Sequence, residues 1–284
     1  MTFSFGDMSA KIAGGNFRYL IRSRGFATQP ATKRSEQSLI GSASLRQTKL
    51  PNGLVIVSLD NAAPISRVNV VVRAGSRFET PGQLGASHAI RNSVGLSTKS
   101  STTFGITRNI DYLAGTLTAS NSREEITYSL QANRDVIGSL VGFLADTVSR
   151  PAFKPWELED SVYRMTIDRQ RMKQDPATRI VELLHEAAFR GSLSNSLFSP
   201  KFMIGKHDHN MLMTYVKNLY VTNGMAVVGL NVEHDQLVED VEKNFEFNTA
   251  PAPPVSASKF HAGNVRCTTG DPSTLVAVAA EGAA

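Results

Sequence analysis

Apolar and polar positions along the chain fall into alternating strand-like and helix-like stretches. "LVIVSL" follows the turn formers Pro51, Asn52 and Gly53, which predicts a strand from about Leu54 to Leu59. A β-branched run from Val68 to Val72, closed by Ala-Gly-Ser, predicts a second. "TLTASN" and "EEITYSLQAN" read as two more around a turn at Asn121 and Ser122, and "NGMAVVGLNV" as a buried strand. Helical spacing takes over elsewhere. "GQLGASHAIRNSVGLS" predicts a helix, and "TTFGITRNIDYLAG" another, with Phe104, Ile106, Ile110 and Leu113 recurring and Gly115 at its end. "RDVIGSLVGFLADTVSRP" is apolar at Val136, Ile137, Leu140, Phe143, Leu144 and Val148 and stops at Pro151. "KPWELEDSVYRMTIDRQRMKQD" starts with Pro155 in a first-turn position and carries acids early and bases late, as the helix dipole favours; Trp156 within it reads as a packing residue. "PATRIVELLHEAAFRG", "NMLMTYVKNLY" and "EHDQLVEDVEKNF" follow as helices, the last with Leu237, Val238 and Val241 on one face.

The chain is 41% hydrophobic and 19% charged, with both signs interspersed, a globular composition over 284 residues. No apolar run reaches the roughly 18 residues that a membrane helix needs, so a soluble or membrane-peripheral protein is expected. Cys267 is the only cysteine, which excludes an internal disulfide framework and a multi-thiolate zinc site. The net charge of +5 is uneven: Lys11, Arg18, Arg22 and Arg24 against Asp7 put +3 into residues 1–26 and leave +2 for the rest. A nearly neutral body gives no reason to invoke nucleic acid. Residues 1–26 are acid-poor, basic and able to form an amphipathic helix, which reads as a mitochondrial transit peptide. "RGFAT" places its cleavage after Arg24, between Phe26 and Ala27. Residues 27–46 read as a flexible linker and 47–247 as a first domain. Residues 248–261, rich in Pro, Ala and Ser, read as an interdomain linker, and 262–284 as the start of a truncated second domain with "STLVAVAAEGAA" as one strand.

On a helix, positions 88, 91 and 92 share a face. His-x-x-Glu-His at that spacing supplies two imidazoles for zinc and a carboxylate to activate water. Here the residues are His88, Ala89, Ile90, Arg91 and Asn92. Arg91 cannot accept a proton, and Asn92 is a poor zinc ligand. His88, left without partners, reads as a structural residue. His185 and Glu186 would open a His-Glu-x-x-His motif, but position 189 is Phe. His207, Asp208 and His209 read as a solvated loop sooner than a metal site. No phosphate-binding loop and no serine or cysteine nucleophile in a recognisable setting is present.

"LPNGLVIVSLDNAAPISRVNVVVRAGSRFE", "LGASHAIRNSVGLSTKS" and "LLHEAAFRGSLSNSLFSPKFMIGK", agreeing in order, resemble the pitrilysin-type metallopeptidase family, M16, from about Thr48 onward. The resemblance implies an α/β (α+β) metallopeptidase-like domain, a mixed β-sheet covered by helices, followed by a second homologous domain. It puts the zinc-ligand positions at His88 and Asn92 and the base at Arg91. The third, carboxylate ligand falls at Asp168, 76 residues beyond Asn92. These are vestigial zinc-site positions, and the resemblance extends to the members that have lost the motif, the core subunits of mitochondrial respiratory complex III (cytochrome bc1). It implies a non-catalytic structural role with no haem, iron–sulfur cluster, quinone or other cofactor of its own. The implied partners are core protein 1, cytochrome b and cytochrome c1, on the matrix side of the inner membrane. The alternative is the substrate-binding, alpha-like subunit of mitochondrial processing peptidase.

Overall fold

In the computed structural model the described residues are 44–255, 258–268, 270 and 274–280. The expected transit peptide, with Arg24, Phe26 and Ala27 at its cleavage point, lies outside them. Strand β1 (Ser44–Lys49) turns through Pro51–Gly53 into β2 (Val55–Asp60), its antiparallel neighbour. Gly53 sits at φ +92, where a Cβ would stand 2.3 Å from Asn223 Oδ1, so glycine is required. Next come β3 (Ile65–Val72), α1 (Ala86–Asn92), α2 (Thr103–Tyr112), β4 (Thr116–Asn121) and β5 (Ile126–Asn133). Three consecutive helices follow: α3 (Ile137–Ser149), α4 (Pro155–Gln174) and α5 (Pro176–Ala188). The two-residue strand β6 (Phe189–Arg190), α6 (His209–Leu219), β7 (Met225–Leu230), α7 (His234–Asn244) and β8 (Lys259–Phe260) complete the order.

Six strands form one mixed sheet in the order β1-β2-β7-β3-β5-β4, with β2 and β7 parallel and the other pairs antiparallel. Alternation decides its two faces. Val68, Val70, Val72, Ile126, Leu130 and Val227 point into the core and are fully buried. Burial of each contributes about 1.5–3 kcal/mol. Helix α3 packs against β3, β5 and α7, and α7 against β2. The opposite face is half-exposed and mixes apolar Val55, Val57, Leu59, Val71, Val228 and Leu230 with polar Asn69 and Ser129, where Ser129 Oγ donates to Asn69 Oδ1 at 2.7 Å.

Several expectations change. The helix expected across "GQLGASHAIRNSVGLS" is only seven residues long, because Gly85 (φ +81) and Gly95 (φ +82) take left-handed conformations on either side of it. Phe104 is 74% exposed, and only Ile106 and Ile110 of α2 face the core. The left-handed residue after α2 is Ala114 (φ +50), while Gly115 is small because Leu140 Cδ1 would lie 2.7 Å from its Cβ. Trp156 is 62% exposed, under the Lys154 amine at 5.7 Å, and so is not a packing residue. Strand β1 begins at Ser44, inside the stretch 27–46 expected as linker. Strand β8 pairs with β6 inside 248–261, where Phe189 and Phe260 meet edge to face. Residues 274–280 form no strand, and Leu275, Val276 and Val278 are exposed. No helix among the described residues is long and apolar enough to cross a membrane.

Candidate functional site

Helix α1 begins where the chain has no room for a side chain: a Cβ on Gly85 would lie 2.4 Å from Ser199 Cβ. Its buried first-turn donors are satisfied by an upstream carboxylate. Glu79 accepts from Gly85 N at 2.7 Å, Ser87 N at 2.9 Å and Ser87 Oγ at 2.7 Å. Burial pushes the Glu79 carboxyl up to about 7 against the pull of these three donors.

From this anchored turn α1 directs His88, Arg91 and Asn92 at Asp168 on α4. His88 is fully buried, with Nε2 3.2 Å from Asp168 Oδ2. Arg91 Nη2 is in close contact with the same oxygen, and Asn92 Nδ2 lies 3.3 Å from it while also donating to His88 O at 3.1 Å. Three side chains thus converge on one carboxylate oxygen, and the structure brings together all four residues singled out in the sequence. His88 does have partners, contrary to expectation: Ser199 N donates to its Nδ1 at 3.1 Å, and Phe198 presents an edge at 5.5 Å. Arg169, beside Asp168 on α4, donates to Ser199 O at 2.9 Å. Burial, and then the Arg91 charge, pull the His88 imidazole down to about 4, outweighing Asp168, so the ring is neutral at pH 7.

This donor set does not fit zinc. His88 Nδ1 is spent on a backbone N–H, and Asp168 Oδ2 already receives three donors. Asn92 turns its amide nitrogen toward the carboxylate. Arg91 stands where a proton acceptor would be needed to activate water. Among the described residues no three His, Cys, Asp or Glu side chains come together in a way that could hold a metal ion.

His207, His209 and His185 make their hydrogen bonds elsewhere, although His207 is near enough to His88 to add to the lowering of its pKa. Asp208 and His209 are exposed, as a solvated loop requires, but His207 is buried, with Nε2 3.0 Å from Leu84 O, which corrects the expectation at that residue; burial lowers its pKa. His209 turns instead to Ala152 O at 3.1 Å, and Asp208 caps α6 by accepting from Met211 N at 2.8 Å. His185 lies on α5 against Val181 O at 2.9 Å. A cavity of about 760 Å³ lies elsewhere, between α6 and residues 245–248, and none of the four converging residues lines it. Sequence reasoning missed Glu79, Arg169 and Ser199, whose roles depend on a chain reversal that no local spacing encodes.

The fold is a mixed α/β domain in which a short, largely buried helix meets a carboxylate on a later long helix. Residues 54–201 match the family Insulinase (Peptidase family M16), and the chain belongs to that family. It is 38% identical over 240 residues to "Cytochrome b-c1 complex subunit 2, mitochondrial" of Rattus norvegicus, covering 84% of this chain and 53% of that protein. The protein of the same name from Homo sapiens is 35% identical over 239 residues, with the same coverage. "Probable mitochondrial-processing peptidase subunit alpha-2, chloroplastic/mitochondrial" of Arabidopsis thaliana is 29% identical over 240 residues, 84% of this chain and 48% of that protein. The chain therefore spans about half the length of the curated relatives it matches.

Proposed function

We propose that this chain belongs to a non-catalytic core subunit of mitochondrial respiratory complex III, the cytochrome bc1 complex, and supports the assembly and stability of that complex. The identity to the subunit 2 proteins, higher than to the processing-peptidase subunits, favours this assignment. The observation that carries the non-catalytic part is Arg91 on Asp168. We read His88, Arg91, Asn92 and Asp168 as the vestigial zinc site of a peptidase ancestor. A fixed guanidinium there supplies neither a metal ligand nor a base. In this reading residues 47–247 are the first metallopeptidase-like domain, 248–261 an interdomain linker and 262–284 the start of a second, after a transit peptide of residues 1–26. The protein is peripheral to the inner membrane on its matrix side. It pairs with core protein 1, contacts the subunits around cytochrome b and cytochrome c1, and carries no cofactor.

Native fractionation of gently solubilised mitochondrial membranes tests this. Co-migration with cytochrome b and cytochrome c1 is the expected result. The similarity to processing-peptidase alpha subunits supports one rival, a substrate-binding partner of an active peptidase chain. Recovery in a soluble matrix heterodimer that cleaves presequences would establish that rival instead.

A further inference from the structure

The hydrogen bonds around His88 settle which of its nitrogens bears the proton. Nδ1 accepts the backbone N–H of Ser199, and a neutral imidazole carries its single proton on the other nitrogen. Nε2–H is therefore a donor, and it faces Asp168 Oδ2. A metal-ligating histidine is wired in the opposite sense: it donates its second N–H to a carbonyl or carboxylate and keeps a lone pair for the metal. So the site differs from a zinc site at the one imidazole that survives, as well as at positions 91 and 92.

The surrounding bonds tie three segments together. Asp168 on α4 receives His88, Arg91 and Asn92 of α1. The next residue, Arg169, holds the carbonyl of Ser199, whose N–H holds His88. Both backbone groups of Ser199 are thus committed, one to each helix. The geometry points to a metal-free latch, in which Asp168, Arg91 and the Nε2–H form of His88 cross-link α1, α4 and the 197–200 segment. A zinc ion would tie the same two helices in an active peptidase. That comparison rests on the vestigial-site reading above, but the latch is tested without it, and co-migration with complex III would stand or fall separately. Arg91 and Ser199 are positioning residues in this account. Their charge and N–H replace the metal's bond to α1 and α4, so the fold needs no ion to close here.

Long-range proton–nitrogen NMR of the full chain reads the tautomer directly, with the His88 signals identified by their loss in His88→Gln. The expected result is an unprotonated Nδ1 and a protonated Nε2, unmoved by Zn²⁺ or by a chelator. A proton on Nδ1, or a zinc-induced change at Nε2, would overturn the latch. A second measurement covers the case in which His88→Gln does not fold. Urea midpoints of Arg91→Met, Asp168→Asn and the double variant should be strongly non-additive, the double losing little more than the worse single. Losses that simply add would also overturn it.

Discussion

Glu79 and His88 flank Ser87 at the start of α1 and titrate in opposite senses. Burial holds the Glu79 carboxyl near 7, above the ordinary 4.5, so its contribution is complete below about 4.5 and is lost as pH rises through 7. The His88 imidazole lies near 4, below the ordinary 6.5, so its contribution is complete above about 6.5 and is lost as pH falls through 4. Between these limits the two slopes oppose each other, and the wild-type profile is flattened. In Glu79→Gln the imidazole slope is unopposed, and unfolding free energy should fall by about 3 kcal/mol or more on acidification from pH 6.5 to 4, because His207, also lowered by burial, pulls in the same direction. In His88→Gln the carboxyl slope should emerge as a loss on raising the pH from 4.5 to 7, reduced by the opposing His207. Urea unfolding across this range checks both; profiles that stay parallel to wild type would refute the pairing. His88 was legible in the sequence because helical spacing is local. Glu79 was not, because it reaches forward to cap α1 across a turn whose shape is set by Gly85 and Ser199.

At the scale of elements, the apolar core joins sheet to helices, and close approach at two glycines and a buried ion pair set how particular elements meet. A Cβ on Gly229 would meet the end of the flexible Leu237 side chain at 2.6 Å, whereas on Gly75 it would meet the backbone oxygen of Arg123 at 2.4 Å. A side chain can swing aside more cheaply than a hairpin can move. Gly229→Ala should therefore cost about 1–3 kcal/mol, and Gly75→Ala more. Equal urea midpoints for the two would contradict this ranking. Arg123 in the β4–β5 turn pairs with Glu182 on α5 at 2.7 Å, both largely buried, and Glu182 also accepts from Leu197 N at 3.1 Å. Glu182→Ala leaves a guanidinium and an N–H without this partner and should cost about 3–5 kcal/mol, read as a drop in thermal stability. The amphipathic helices were legible because their core positions recur at three and four. Phe104 and Trp156 were misjudged for the same reason: each lies two residues from a core position, Ile106 and Leu158, and so points elsewhere.

For the whole molecule, the order β1-β2-β7-β3-β5-β4 depends on long-range pairing. The parallel contact of β2 with β7 and the edge position of β1 left no mark in local pattern, so the first half of β1, up to Arg46, read as linker. Family membership, by contrast, was legible from segments agreeing in order, and residues 54–201 carry it. What the family's architecture does here turns on the ion pair that stands between α1 and α4. Depleting the protein from mitochondria, then measuring assembled cytochrome b and cytochrome c1 together with uncleaved presequence precursors, tests the central claim most directly. The account predicts that the assembled complex falls while precursors are cleaved normally. Normal assembly with accumulating precursors would contradict it.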